Sequence, residues 1–172
     1  MKILTKLTVC LVLSAAAAFG AGTYVGAGAG YWIDSEDMVF NARVGFDVAQ
    51  QGNLTHAIEL EGYSGEDDEG RGIKLRLAGA LVNYRLTVDL NAPLYVSFGA
   101  GLGATRAKLR GYWYAGTDNA FTYQAIATLG YRITPQFSVE ASARYLNIGK
   151  VDFSREKIGD DVSAELGVKY HF

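Results

Sequence analysis

The chain has 172 residues, of which 49% are hydrophobic and 20% charged, with a formal net charge of −2 at pH 7. Its 21 glycines and 11 tyrosines stand out, because average usage of about 7% glycine gives roughly 12 in a chain of this length. The apolar and aromatic content excludes a disordered chain, and nothing in the charge pattern suggests a basic face for nucleic acid. The long apolar run, Val9 to Ala18, is too short for a helical membrane span of about 20 residues. One domain is expected at this length.

The first twenty residues have the three parts of a secretory signal. Lys2 and Lys6 form a basic start, an apolar stretch runs from Leu7 to Ala18, and small residues suited to cleavage follow. We therefore predict a signal peptide over residues 1–20, removed on export, and a mature domain over residues 21–172. Cleavage takes away Cys10, the single cysteine, so the mature domain must be stabilised without disulfides.

From Ala21 onward, apolar and polar residues alternate with period two, which indicates β-strands. The sequence predicts eight strands, each with one apolar face and one face of glycine, hydroxyl and charged residues. The predicted strands are Thr23–Ile33, Met38–Val48, Leu54–Tyr63, Gly72–Leu86, Leu94–Arg106, Phe121–Ile133, Phe137–Asn147 and Asp161–Phe172.

The connections between these strands alternate in length. After the second, fourth and sixth strands they are short, at Ala49–Asn53, Thr87–Pro93 and Thr134–Gln136. After the third, fifth and seventh they are long, at Ser64–Arg71, Ala107–Ala120 and Ile148–Asp160. Short turns at one rim and long loops at the other are typical of a transmembrane β-barrel. We predict an all-β fold, an eight-stranded antiparallel up-and-down barrel in the cell outer membrane.

The distribution of residue types favours a polar interior. The apolar faces carry tyrosine and phenylalanine near strand ends, as interfacial aromatic girdles do. The polar faces carry arginine and glutamate in mid-strand, alternating with glycines, and small residues make room for long charged ones inside a narrow barrel. In the alternative, a soluble periplasmic sandwich, the charged face would meet water instead.

The fourth predicted strand breaks the alternation. Lys74 and Arg76 share a parity with the apolar residues from Ala80 to Leu86, while Leu77 shares one with Arg85. A β-bulge around Ala78-Gly79 resets the parity. In the alternative, Lys74 and Arg76 lie above the membrane, where facing is unconstrained.

Several motifs together resemble the small outer-membrane barrels of the OmpA-like and OmpX/Ail-like superfamily. They are Tyr24-Val25-Gly26-Ala27-Gly28-Ala29-Gly30, Tyr95-Val96-Ser97-Phe98-Gly99-Ala100-Gly101, Ala80-Leu81-Val82-Asn83-Tyr84, Leu129-Gly130-Tyr131-Arg132, Ala143-Arg144-Tyr145-Leu146 and Lys169-Tyr170-His171-Phe172. The resemblance implies a monomer in contact with outer-membrane lipid and lipopolysaccharide, and a terminal strand whose Tyr170 and Phe172 are read by the barrel-assembly machinery. It implies no cell-wall tethering, because no peptidoglycan-binding domain follows Phe172.

The expected lumen residues include five acidic and five basic side chains, a balance that favours a paired network plugging the barrel. They are Arg43, Asp47, Glu59, Glu61, Arg85, Gln124, Arg132, Glu140, Arg144, Glu165 and Lys169. In the alternative, a porin-like channel for ions or small solutes, the same charges would set selectivity.

The sequence offers little support for catalysis or a cofactor. An acyl-transfer enzyme needs a serine within reach of a histidine, and His56 and His171 lie on predicted strands outside such a context. We therefore expect no enzyme, no metal and no cofactor, and we interpret the acidic run Glu66-Asp67-Asp68-Glu69 as a solvated loop. In the alternative, this run gathers divalent cations.

The specific function of an outer-membrane barrel belongs to its outward loops. The third long loop mixes basic and aromatic residues, namely Arg106, Lys108, Arg110, Tyr112, Trp113 and Tyr114. These residues either bind an extracellular ligand or form a strand extension that packs on lipopolysaccharide headgroups. The sequence thus predicts a protein of envelope integrity or surface interaction, and it names no ligand.

Overall fold

The computed structural model describes residues 22–68, 74–91, 93–110, 115–150 and 157–172. They form a closed barrel of eight antiparallel strands in chain order, with the last strand paired to the first. The strands are β1 (Thr23–Trp32), β2 (Met38–Gln51), β3 (Leu54–Asp68), β4 (Lys74–Asn91), β5 (Leu94–Arg110), β6 (Ala115–Arg132), β7 (Phe137–Lys150) and β8 (Lys157–His171). The predicted fold class is confirmed, and the predicted signal peptide lies outside the described residues.

The described residues include no helix long and apolar enough to span a membrane.

The two faces of the sheet are inverted relative to a soluble protein. On the outer wall, Phe98, Leu102 and Leu166 are 55%, 60% and 72% exposed, whereas Glu59 and Arg144 in the lumen are only 1% and 2% exposed. A soluble monomer rarely exposes a continuous apolar surface of this extent. The outer wall is therefore suited to lipid, and the soluble sandwich is excluded.

The connections lie at two rims of different character. The turn rim carries the residues 52–53 and 133–136, and the loop rim carries 33–37 and the strand ends that flank 69–73, 111–114 and 151–156. The predicted long loops are shorter than expected, because β4, β5 and β6 run for 18, 17 and 18 residues. A tilted transmembrane strand needs only about 9–11 residues, so these three strands project beyond an apolar band at the loop rim.

The bulge predicted at Ala78-Gly79 is wrong. The register of β4 with both neighbours is continuous there, and its shift lies at the turn rim, between Asp89 and Asn91. Leu77 and Leu81 instead point inward, where they are 6% and 1% exposed. The parity needs no reset, because the lumen near the loop rim is itself apolar and accepts both leucines.

Large inward rings lie against glycines of the neighbouring strand. Tyr95 covers Gly130, where an added Cβ would lie 2.0 Å from the tyrosine Cζ. Tyr24 over Gly45 and Tyr63 over Gly79 repeat the arrangement. A side chain in place of any of these glycines would occupy the volume of the ring. The narrow lumen therefore depends on placing each large ring opposite a residue without a side chain.

We expect Gly130→Ala to lower the free energy of unfolding by about 1–3 kcal/mol, the usual cost of overpacking. Gly62→Ala is the matched control, because an added Cβ there has no neighbour nearer than 3.9 Å, and it should change stability by less than about 0.5 kcal/mol. Urea unfolding of both variants in detergent micelles measures the difference. Equal effects would contradict the packing argument.

Candidate functional site

The structure places nine of the eleven predicted lumen residues inside the barrel, each at most 7% exposed. These nine are Arg43, Glu59, Glu61, Arg85, Gln124, Glu140, Arg144, Glu165 and Lys169. The other two, Asp47 and Arg132, lie at the turn rim and line a cavity there. Arg132 forms an ion pair with Asp89 at 2.5 Å, with both side chains about one-third exposed.

The lumen charges form two centres. In the turn-side centre, Glu140 pairs with Arg43, accepts a hydrogen bond from the Tyr95 hydroxyl at 2.7 Å and lies 2.9 Å from Lys169 Nζ. Arg43 Nε also lies 3.5 Å from Glu59 Oε2. The Glu140 carboxylate thus pairs with two cations and accepts a hydrogen bond from a phenol. A buried charge requires such pairing and hydrogen bonding to offset the cost of desolvation.

The loop-side centre is built around Arg144. Its guanidinium contacts Glu61, and Nη2 donates to Glu165 Oε2 at 3.0 Å. Nη1 also donates to Gln124 Oε1 at 2.9 Å. Two carboxylates and an amide therefore surround a single arginine that is 2% exposed.

Asn83 joins the two centres. Its Nδ2 donates to Glu59 of the turn-side centre at 3.1 Å and to Glu61 of the loop-side centre at 2.8 Å. Its carbonyl oxygen accepts from Gln124 at 2.7 Å. Removing Asn83 would therefore leave donors and acceptors unpaired in both centres at once.

An apolar cap fills the lumen between the loop-side centre and the loop rim. Its members are Trp32, Val39, Tyr63, Leu77, Leu81, Ala107, Ala120, Leu146 and Ile148. The boundary with the network is a short hydroxyl chain, in which Tyr63 contacts Thr105 and Thr105 contacts Thr122, each at 2.5 Å. Each of these nine residues is at most 6% exposed.

A polar vestibule of about 370 Å³ opens at the turn rim. Arg85, Lys169 and Arg132 line it together with Asp47 and Asp89. Among the described residues, Arg85 makes a single side-chain hydrogen bond, from Nη2 to the Thr128 hydroxyl at 3.1 Å, and its buried Nη1 has no partner.

The basic residues predicted in a loop instead lie on the outer wall. Arg106 and Lys108 are exposed on β5, and Arg76, exposed on β4, stands directly opposite Lys108 in the register. The backbone of Arg110 continues β5, while its side chain and the residues 112–114 lie outside the described part. Arg106 and Lys108 therefore belong to a strand extension, and their packing on lipopolysaccharide headgroups stays a prediction. The loop predicted for the acidic run is wrong for residues 66–68, whose backbone continues β3. Their side chains and residue 69 lie outside the described part.

This basic row begins where the apolar wall ends. Ala104 of β5 pairs with Phe121, and the next outward pair is Arg106 with Asn119. Phe121 is 62% exposed on the wall, so it marks the aromatic edge of the apolar band. The row thus lies at the level where lipid headgroups meet such a band.

Sequence reasoning missed several lumen residues that complete the network. Tyr24 donates to Glu59 at 3.1 Å, Asn41 to Glu165 at 2.8 Å and Ser163 to Glu165 at 2.7 Å. The alternation of inward and outward positions could have revealed such uncharged residues. Asn83 lies two positions from the inward Arg85, and Asn41 lies two positions from the inward Arg43. Apart from Gln124, the predicted lumen set contains only charged residues, so it omits these uncharged members of the network.

The two histidines lie apart. His56 is on the outer wall, with Nδ1 2.5 Å from the Tyr84 hydroxyl, and the His171 ring lies 5.2 Å from that of Tyr24. Neither has a serine as a hydrogen-bond partner within the described ranges. No group of three or more potential metal ligands occurs in that part of the chain either.

The family of outer membrane protein β-barrel domains matches residues 3–172. The chain belongs to this family. No curated protein sequence matches it, but solved barrels share its architecture. The neisserial surface protein A is similar over 88% of this chain and 98% of its own, with 19% identity and a TM-score of 0.72.

Two further barrels of known structure cover 89% of the chain with a TM-score of 0.60. The attachment invasion locus protein Ail of Yersinia pestis is 17% identical and covered over its full length. The N-terminal barrel of Pseudomonas aeruginosa OprF is 18% identical and covered over 99%. At these identities the likeness concerns the fold.

The protein is thus an outer membrane β-barrel, located in the outer membrane and crossing it with its eight strands. In such barrels the short turns are periplasmic and the loops extracellular. The vestibule therefore faces the periplasm, and the apolar cap and the basic row face the cell exterior.

We expect Glu140→Gln to lower the free energy of unfolding by about 3 kcal/mol or more, because it leaves Arg43 and Lys169 without their shared carboxylate in the lumen. Asp89→Asn is the matched control, since it breaks only the half-solvated pair with Arg132 and should cost at most about 1 kcal/mol. Urea unfolding followed by tryptophan fluorescence compares the two. A Glu140→Gln barrel as stable as the control would show that Glu140 does not hold the turn-side centre together.

Proposed function

We propose that the protein is a closed, non-conducting barrel that supports the outer membrane and presents a basic outer surface to the anionic lipids around it. The observation that carries the proposal is the filled lumen. Two charge centres joined by Asn83 occupy its middle, and the apolar cap occupies its extracellular part. Eight strands leave an interior just wide enough for side chains to fill.

The charges are compensated in a way that suits a structural plug. Arg43, Arg144 and Lys169 each pair with at least one glutamate. An ion crossing the lumen would have to separate these pairs and then pass a cap that contains no charged side chain. Both steps are costly in a low-dielectric interior.

The channel alternative has one supporting observation, the periplasmic vestibule of about 370 Å³. It ends at Arg85 and Lys169, which belong to the buried lumen. The vestibule would be the mouth of a pore if the side chains beyond it moved apart together.

Conductance separates the two functions. In planar bilayers, we expect the purified protein to give no steady discrete currents, while a general porin in the same bilayers gives them. Arg144→Ala tests the plug inside the lumen, and Arg106→Ala on the outer wall is its control. Steady currents of the native protein that change in Arg144→Ala, but not in Arg106→Ala, would establish a channel and overturn the proposal.

The basic row supports the second part of the proposal. Arg76 and Lys108 face each other across two strands, and Arg106 lies diagonally from Arg76. Arg106 and Lys108 are both exposed on this face of β5, so their placement favours an anionic group that contacts both side chains. Lipid A phosphates of the outer leaflet lie at this level, directly above the apolar band, and arginine suits them through paired N–H groups.

We expect lipid A to raise the urea midpoint of the native barrel in micelles, because its phosphates bind Arg106 and Lys108 in the folded barrel and a ligand of the folded state stabilises it. The double variant Arg106→Gln, Lys108→Gln should lose at least half of that increase. Arg132→Gln removes one cation from the opposite rim and should retain it. An increase that survives in the double variant, or one that dephosphorylated lipid A reproduces, would contradict a phosphate site in the basic row.

We propose no catalytic role, since neither histidine has a serine hydroxyl beside it in the described residues. The assembly signal remains a prediction. Tyr170 and Phe172 pack edge to face at 5.1 Å between ring centroids on the outer wall, and the Phe172 N–H donates to Thr23 O at 2.9 Å. These contacts support a terminal strand that closes the barrel, whose recognition by the assembly machinery is proposed.

A further inference from the structure

We propose that the periplasmic vestibule binds a small oxyanion of the phosphate type, held by the guanidinium of Arg85. The inference does not depend on whether the barrel conducts or binds lipid A. It rests on three observations, namely a buried arginine without an ion pair in the described residues, an excess of positive charge among the buried side chains around it and an open polar cavity in front of it.

Arg85 is the buried cation that the network leaves without a carboxylate. Within the described residues, Arg43, Arg144 and Lys169 all form ion pairs, and Arg85 forms none. Its side chain belongs to a residue only 3% exposed, with a single hydrogen bond to Thr128 and a buried Nη1 that has no partner. An unpaired cation at such burial is costly unless an anion reaches it.

The charge of the lumen is divided unevenly along the barrel axis. The loop-side centre has one arginine and two glutamates, which leaves an excess of one negative charge. The periplasmic half holds Arg43, Arg85 and Lys169 against Glu59 and Glu140, which leaves an excess of one positive charge. The surplus cation lies on the side that is open to solvent.

The vestibule presents the groups that an oxyanion uses. Arg85, Lys169 and the cross-strand pair Thr55 and Thr87 all line it. The N–H groups of a guanidinium match two oxygens of one anion, while ammonium and hydroxyl groups supply further donors. The cavity of about 370 Å³ admits a phosphate group together with several water molecules.

Neither carboxylate of the vestibule forms an ion pair with Arg85 in the described residues. Asp89 is paired with Arg132 at the mouth, and Asp47 is solvent-exposed on the turn rim. Lys169 is held between two rings, with Nζ 5.2 Å from the Tyr24 centroid and 4.6 Å from that of Tyr95. These contacts fix the ammonium at the base of the cavity near Glu140.

Arg85 is also fixed in position. It stands opposite Gly99 in the register, and an added Cβ at Gly99 would lie 2.7 Å from the arginine Cδ. The glycine thus lets the side chain lie flat against β5, so Gly99→Ala should displace the guanidinium without changing the charge. The chain therefore offers one variant that removes the charge and another that moves it.

The test uses the purified full chain in micelles of a detergent without phosphate. Inorganic phosphate is titrated against chloride at constant ionic strength, and the Arg85 Nε–H resonance is followed by nitrogen-proton NMR. We expect a saturable shift with half-saturation at millimolar phosphate. The backbone resonances of the vestibule should report at least tenfold weaker binding in Arg85→Gln. Arg106→Gln, which removes the same charge from the opposite rim, should bind within twofold of the native protein.

Folding does not confound this comparison. Without Arg85 the turn-side centre keeps two cations and two carboxylates, so Arg85→Gln should fold, as heat-modifiable migration on a gel can verify. Gly99→Ala should weaken phosphate binding at unchanged net charge. Shifts that do not saturate, or equal losses in Arg85→Gln and Arg106→Gln, would overturn the site. Glycerol 3-phosphate in a second arm distinguishes a phosphate ester such as a lipid headgroup from the free ion, according to which binds more tightly.

Discussion

The structure depends on compensating charges in a lumen that is too narrow to hydrate them. Closing eight strands removes every sheet edge, but it also turns each polar face toward a space that side chains fill. Glu140 therefore pairs with two cations and accepts a hydrogen bond from a tyrosine, while Arg144 contacts two carboxylates and donates to an amide oxygen. The outer wall is free to be apolar because the polar residues are satisfied inside.

The narrow lumen also imposes a steric constraint, which is met where large side chains lie against glycines of the neighbouring strand. Tyr95 over Gly130 and Arg85 over Gly99 follow one rule, in which a long or flat side chain lies across a residue without a Cβ on the next strand. The abundance of glycine is thus a consequence of barrel width. Tyrosine divides between two tasks, since Tyr24, Tyr63 and Tyr95 are buried in the lumen whereas Tyr31 and Tyr131 are exposed on the outer wall.

The alternation of residues was sufficient to predict the eight strands, their order and the side that faces lipid, because parity is a local property. It also placed the glycines of the first and fifth strands beside charged partners, as Gly26 with Arg43 and Gly99 with Arg85 show. It failed at Leu77 and Leu81, since the apolar cap is formed by residues from seven strands and no single strand reveals it. The partner of each charge was likewise not predictable, because it depends on the stagger between strands distant in sequence.

The pairing of the first and last strands has a consequence for how the barrel is made. Nine residues of β1 pair with nine residues of β8. In the closed barrel every strand therefore has two neighbours, and no strand differs from the others in its pairing. A circularly permuted chain, reopened at the turn 52–53, could form the same ring from the same pairs. Any special role of the strand that ends at His171 must therefore belong to the order of events during insertion and not to the final architecture.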